Sequence, residues 1–246
     1  MYKKTRVIFT IFFLTLQVHI YGNWNPDVLG IEVSQITEGN YKRLKKSVTR
    51  HLAAEKLWCT EEKANLLMDL ILLTKPSICV EIGVFNGSTV LPVAATLKYV
   101  NHGKIYAVDA WSNVEASKNL RDNSSHKDWW STVNMVDVAR DFNSMIKAWA
   151  LGNYCIPIHS TSENFSSQIE TIDFLHLDGD FSSIGSLQDV EMYLPKVKKN
   201  GTILLSNATW SDNGKRPKSR AIFLLFDSCE LLADIEKSNT LLFRKR

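Results

Sequence analysis

The chain has few cysteines, few glycines and no long uninterrupted apolar run, and each shortage closes off a class of protein. Its four cysteines stand alone, with no Cys-x-x-Cys and no histidine at zinc spacing, so neither a zinc module nor a disulfide framework is expected. Cys79 and Cys155 lie inside apolar runs and read as small core hydrophobes. The 11 glycines never fall into the three-glycine dinucleotide pattern, which argues against a cradled pyrophosphate. The most apolar run, Val7 to Ile20, is broken by Thr10, Thr15, Gln17 and His19 and falls short of the ~20 residues a bilayer crossing needs, so no stable membrane span is expected. Clustered positive charge is missing too. Three of the 29 Lys and Arg sit in residues 1–22, which hold no acid, and the remainder is balanced, 26 against 26. No nucleic-acid partner is expected from such a balance, because nothing gathers enough cation to displace phosphate counterions. Lys215 to Arg220 and Arg244 to Arg246 read as solvated loop and tail charge.

Lys3, Lys4 and Arg6 before the apolar run make residues 1–22 read as a signal peptide, with Gly22 a small residue at the cleavage point and Ile20 a poor match two residues before it. A buried N-terminal strand or helix is the plainer alternative, and a stable anchor the third. Residues 23–59 form a polar N-terminal extension, and 60–246 a single domain; 246 residues with 45% hydrophobic content suffice for one sizeable core.

Within that domain, Thr60 is placed to cap a helix whose first turn holds Glu61 and Glu62 and whose apolar face is Leu66, Leu67, Leu70, Ile71 and Leu73. Strands and helices then alternate. Strands are expected at Ser77–Val84, Lys104–Ala110, Tyr154–Ile158, Ile172–Leu177 and Thr202–Leu205, with helices from Gly87-Ser88 to Lys98, over Val138–Trp149, over Ser186–Leu194 and over Ala221–Phe226. A closing hairpin is expected from Leu231–Ile235 and Thr240–Phe243. Alternation with strands apolar on both faces predicts an α/β fold, a doubly wound, mostly parallel sheet covered by helices on both sides. Ser112–Thr132 fits neither period; with Trp129 and Trp130 side by side it is either a lid over the sheet's carboxyl edge or a surface loop pinned by its tryptophans.

Ligands of such sheets bind at the carboxyl ends of the strands. The first strand ends in Glu81-Ile-Gly83-Val-Phe-Asn-Gly87-Ser, the second in Asp109. Glycines allow close backbone approach, Glu81 suits an amine-bearing ligand, and Asp109 can accept both ribose hydroxyls, which together describe a nucleoside site without a diphosphate. Ser162, after the third strand, suits a base edge or, alternatively, caps a helix. Asp178-Gly179-Asp180, after the fourth, is a candidate for metal ligation and general-base work, a turn-capping role being the alternative. His176 reads as a satisfied core histidine.

The combination of Glu-Ile-Gly-Val-Phe-Asn-Gly-Ser, Tyr-Ala-Val-Asp-Ala-Trp, His-Leu-Asp-Gly-Asp and Thr-Ile-Leu-Leu-Ser-Asn resembles class I S-adenosylmethionine-dependent methyltransferases, most closely the small-molecule O-methyltransferase branch that often uses a divalent metal. The resemblance runs from about Thr60 to Arg246. It implies S-adenosyl-L-methionine as cofactor, with Glu81, Gly83 and Gly87 at its methionine end, Asp109 at the ribose and Ser162 at the adenine. It further implies a small-molecule hydroxyl acceptor, Asp180 as the base, and Asp178 with Asn207 as metal ligands. Trp111 and Trp210 are expected to shape the acceptor pocket. The chain departs from the family where Ser206 replaces an acid and Phe181 a histidine. One carboxylate is then missing from a site for a hard cation, so Mg²⁺ is expected to bind weakly or to be dispensed with, and an aspartate at position 206 to restore it. Two alternatives stand beside this reading: a catalytically weakened cofactor-binding protein of the same fold, and a nicotinamide-dependent oxidoreductase. An export leader points to a secreted or periplasmic protein, whereas supply of this cofactor points to the cytoplasm.

Overall fold

The expected alternation is present and closes into one sheet. The computed structural model describes residues 39–120, 125–211, 214–235 and 239–246. The leader expected over residues 1–22, and the extension as far as residue 38, lie outside the described residues.

The parallel part of the sheet has β1 (Ile78–Ile82) at its centre. On one side run β2 (Lys104–Asp109) and β3 (Cys155–His159), on the other β4 (Ile172–Leu177) and β5 (Val197–Ser206). All five are parallel, as buried Ile, Val and Leu-rich strands joined by helical crossovers must be. Two further strands, β6 (Cys229–Ile235) and β7 (Thr240–Lys245), form the closing hairpin, and β7 inserts antiparallel between β5 and β6, giving the order β3-β2-β1-β4-β5-β7-β6. The strand order reverses between β1 and β4, which opens a crevice at their carboxyl ends.

Alternating residues of each strand feed two apolar layers. Cys79 of β1 and Phe174 of β4 join the layer under helices α1 (Gly39–Ala54), α2 (Glu61–Thr74) and α3 (Val90–Val100), with Phe142 and Met145 of a later helix. Val80, Ile82 and Leu175 face the opposite layer. That is the period-2 alternation of a sheet buried on both sides. The α2 cap is as expected, with Thr60 Oγ1 accepting from the backbone N–H of Lys63.

Two regions differ from expectation. The extension holds a helix, α1, fixed by buried Tyr41, Val48 and Leu52; its apolar residues are sparse because only a narrow stripe touches the core. The region 112–132 contains two short helices, α4 (Asn113–Ser117) and α5 (Ser125–Thr132). Asn113 ties them together by donating from Nδ2 to the carbonyls of Trp130 and Val133, at 2.6 and 2.8 Å. Helix α6 (Met135–Ala148) follows, then α7 (Ser162–Ser166), α8 (Ser183–Tyr193) and α9 (Ser219–Ser228).

Candidate active site

The crevice where the strand order reverses is a cleft of ≈ 320 Å³, within the usual size of a small-ligand site. Its wall includes Gly83, Asp109, Ser162, Asp178, Asp180 and Asp189. Gly83 adopts φ +83°, and a Cβ there would stand 2.6 Å from the backbone N of Gly179. The ends of β1 and β4 therefore approach closely enough that only glycine fits, which leaves both backbones bare toward the cleft. Asp109 is anchored rather than loose: its carboxylate accepts from the backbone N–H of Phe85 at 2.8 Å and of Trp111 at 2.7 Å. Each oxygen keeps a second lone pair, so the same carboxylate can hold two vicinal hydroxyls. Burial raises its pKa, and the backbone donors oppose that.

At the far end, Thr161 rather than Ser162 caps α7, accepting from the Asn164 N–H at 3.2 Å. Ser162 is thereby released to the cleft, where its hydroxyl hydrogen-bonds Asp189. Asp189 is almost fully buried, and burial pushes its pKa up to about 6.

Three expected site residues stand behind the wall. Glu81 is wholly buried; it accepts from Thr89 Oγ1 and lies 3.1 Å from His176 Nδ1, which is equally buried. Burial pushes Glu81 up to about 8 and His176 down to about 3, so near neutral pH both favour the uncharged form. Neither facing atom, Glu81 Oε2 nor His176 Nδ1, has a well-aligned hydrogen bond. Gly87 has φ +79°, but a Cβ there would meet the Phe142 ring at 2.6 Å, so its smallness serves the packing of α6. Trp111 is buried, stacked near Phe142 with centroids 5.6 Å apart, its indole N–H donating to the Phe85 carbonyl at 2.8 Å.

The β4–β5 side is charged. Asp178 lines the cleft, and Asn207 Nδ2 donates to its Oδ1 at 2.7 Å. Its other oxygen faces the ammonium of Lys63 at 3.5 Å; Lys63 also donates to Ser206 Oγ at 2.5 Å, and Ser206 Oγ lies 2.8 Å from His176 Nε2. A second ammonium, Lys218, is buried beside it, donating to the Ser206 carbonyl at 2.9 Å and lying 5.4 Å over the Phe181 ring. Burial lowers the Lys218 pKa, and Asp178, Asp189 and Asp180 counter that. Asp180 is held at both oxygens: Oδ1 accepts from the Ser182 N–H at 2.5 Å and Oδ2 from Asn119 Nδ2 at 2.8 Å.

These residues do not fit a divalent metal. Asn207 turns its amide N–H₂, not its oxygen, to Asp178, and the neighbouring space is taken by a lysine ammonium. Among the described residues, no three His, Cys, Asp or Glu side chains gather in a geometry that could hold a metal ion. Lys63 and Lys218 carry no motif, yet Lys63 leaves a trace in the sequence. It sits on the apolar face of α2 in the first turn, where the helix dipole disfavours a cation.

Aromatic rings border the mouth. Trp58 stacks on Phe85 at 5.1 Å and Trp130 meets Phe85 edge-on at 5.6 Å, while Phe181 lies 5.5 Å from Trp210. Phe181 and Trp130 line the cleft itself. Of the two tryptophans expected at the acceptor, Trp210 is thus beside the mouth, whereas Trp111 is in the core.

A family described as a methyltransferase domain matches residues 80–208, more than half of the chain. No curated protein sequence matches it. Among solved structures, the chain is similar to the SAH-bound methyltransferase PaMTH1 of Podospora anserina, at 15% identity and TM-score 0.54 over 100% of this chain and 97% of that one. It is similar to a putative caffeoyl-CoA O-methyltransferase from Staphylococcus aureus, at 11% identity and TM-score 0.58 over 82% and 91%. The O-methyltransferase from Bacillus cereus, in complex with SAH, is likewise similar, at 14% identity and TM-score 0.55 over 83% and 91%.

Proposed function

The chain belongs to the methyltransferase-domain family, and from that membership we propose that it moves a methyl group from S-adenosyl-L-methionine to the hydroxyl oxygen of a small molecule. The observation that carries this reading is the cleft between β1 and β4, with Gly83 bare at one end and Asp109 held by two backbone amides at the next strand. In the proposed pose the ribose hydroxyls meet Asp109, the adenine lies toward Ser162 and Asp189, and the methionine part passes Gly83. Glu81 acts from behind as a positioning group, fixing β1 against β4 through His176.

Transfer forms a carbon–oxygen bond, breaks the carbon–sulfur bond of the sulfonium and releases the hydroxyl proton to a carboxylate, for which Asp180 is proposed. The sulfonium is already a good leaving group, so the chain's task is alignment of the acceptor plus removal of one proton. The acceptor enters past the aromatic rim, whose flat faces suit a planar, ring-bearing hydroxyl compound.

A second reading, a weakened enzyme that still holds the cofactor, is favoured by one observation: both Asp180 oxygens are already engaged. The family match leaves the nicotinamide alternative without support. Two measurements test the proposal: S-adenosylhomocysteine added to the protein in a thermal melt, and methyl transfer to a panel of phenols and sugars. A ligand at a hundredfold excess over Kd stabilises by ~2.7 kcal/mol. A shift with no transfer to any acceptor leaves the second reading; no shift at millimolar ligand refutes the cofactor.

A further inference from the structure

The charge at Asp178 raises a separate question. A carboxylate in this place is expected to hold a divalent cation, with Asn207 beside it and an acid at position 206. The chain has Ser206 instead, and its hydroxyl takes the hydrogen bond of a lysine that reaches over from α2, 143 residues earlier. Ser206 and Lys63 are complementary. An acid at 206 and a lysine at 63 would be redundant partners, whereas a neutral serine lets the ammonium bridge Ser206 and Asp178. Lys218 arrives from the segment before α9 and places a second ammonium on the Ser206 carbonyl. Both lysines are buried to more than nine-tenths, a costly position that a protein keeps only where charge is matched; here Asp178, Asp180 and Asp189 supply the match.

We propose that Lys63 and Lys218 are this chain's replacement for the divalent metal: two fixed ammonium groups behind Asp178 supply the positive charge that steadies the acceptor oxygen, and methyl transfer is metal-independent. The proposal rests on the methyltransferase reading above. The lysines are positioning residues, since neither lines the cleft. They act through Asp178 and by their field, which favours the oxygen as it loses its proton and before it gains the methyl carbon. The proton leaves to a carboxylate, the thioether leaves with the sulfonium's electron pair, and no co-reactant is required. A field fixed in advance by the fold costs no rearrangement during reaction, and deleting one such group typically lowers turnover by about 10²-fold.

From the same placement it follows, under this proposal, that an acid added at position 206 would not by itself build a metal site. An aspartate there would pair with the Lys63 ammonium instead of a cation, so metal binding should appear only when the lysine is removed as well.

Manganese is the probe, read by its electron paramagnetic resonance signal, which needs no activity. The purified full chain is expected to leave Mn²⁺ free at several hundred micromolar, and Ser206→Asp to behave likewise. The double variant Lys63→Ala with Ser206→Asp is expected to bind it at least tenfold more tightly than either parent. In turnover assays the wild type should lose nothing in EDTA, and Lys63→Met should lose about 10²-fold in kcat with KM for the acceptor and Kd for S-adenosylhomocysteine within threefold of wild type. A merely structural lysine would instead lower folded protein and cofactor binding together. Micromolar Mn²⁺ binding by the wild type that is lost in Asp178→Asn, or loss of activity in EDTA restored by Mg²⁺, overturns the proposal. If Lys63→Met does not fold, the wild-type manganese and EDTA results decide alone. A failed cofactor melt with an unchanged manganese result sinks the methyltransferase reading, not the absence of a metal site.

Discussion

The two sides of the cleft are built by different means. Toward β1, β2 and β3, the cleft surface is mostly backbone geometry: a left-handed glycine, a carboxylate pinned by main-chain amides, a capped short helix. Toward β4 and β5, it is side-chain charge assembled from distant parts of the chain, with α2 and the segment before α9 each contributing a lysine. The first kind of site tolerates little change in shape and much in charge; the second is the reverse. In the proposed function, nucleoside binding is a matter of fit along a fixed backbone, whereas proton removal is a matter of potential.

The comparison can be broken most severely at Gly83. Gly83→Val adds a Cβ 2.6 Å from the Gly179 backbone N at φ +83°. Backbone strain of that kind costs about 1–3 kcal/mol, and the displaced strand end falls on the proposed path of the cofactor, so affinity for S-adenosylhomocysteine should drop on the order of 10²-fold or more by calorimetry. Gly87→Ala is the control, since it crowds Phe142 instead; it should lower the melting temperature and leave the affinity of the folded fraction nearly unchanged. Equal losses of affinity would erase the distinction between the two glycines.

On the charged side, Asp180→Asn should lower kcat by about 10²-fold, the usual scale for a general base, with cofactor affinity unchanged. Retained turnover would move the base role to Asp178.

A smaller effect is expected behind the wall. The pKa of Glu81 is about 8 in the fold against an ordinary 4.5, so the folded state holds a proton that the unfolded chain has lost. Stability from that group is complete below about pH 4.5 and is lost as pH rises through about 8. Glu81→Gln cannot ionise and mimics the protonated acid. Thermal melts should therefore show the variant gaining on the wild type between pH 6 and pH 9, by at least about 1 kcal/mol. A difference constant with pH would mean that Glu81 is ionised in the fold.

The smallest effect belongs to the rim. Trp58 is 63% exposed and stacked on Phe85. An aromatic contact contributes about 0.5–1.5 kcal/mol, so Trp58→Ala should raise KM for a ring-bearing acceptor by roughly three- to tenfold and leave KM for the cofactor alone. No change would remove that ring from the acceptor's path.

What was legible in the sequence follows the same division. Strand alternation, the Thr60 cap, the central β1 and the Asp109 position can be read because each depends on residues close together in the chain. Boundaries moved by a few residues; β5 begins at Val197 rather than Thr202, because the hydrophilic Lys198 to Asn200 continue the strand at an exposed end. Helix α1 was hidden by its narrow apolar stripe. The roles of Glu81, Gly87 and Trp111 follow from motif position, while their neighbours in space, His176, Phe142 and Phe85, lie 26 to 95 residues away and put them inside the wall. The Lys63–Ser206 contact is longer-range still. Ser206 read as a deficit because its partner could not be seen; in the structure it is half of a pair.

The solitary cysteines have a consequence of a different sort. All four are free and buried, and burial pushes Cys59 and Cys155 up to about 12, so the native thiols are poor nucleophiles. Cys79 sits in β1, inside the sheet, on the same register row as Cys155 of edge strand β3 with Ile105 of β2 between them, whereas Cys229 opens the opposite edge strand and Cys59 precedes α2. A thiol-trapping reagent would thus meet each sulfur only when its own part of the molecule opens. Labelling of the untouched chain, resolved by peptide, becomes a four-channel clock of local opening, in which the edge strand reports early and the centre of the sheet reports global unfolding.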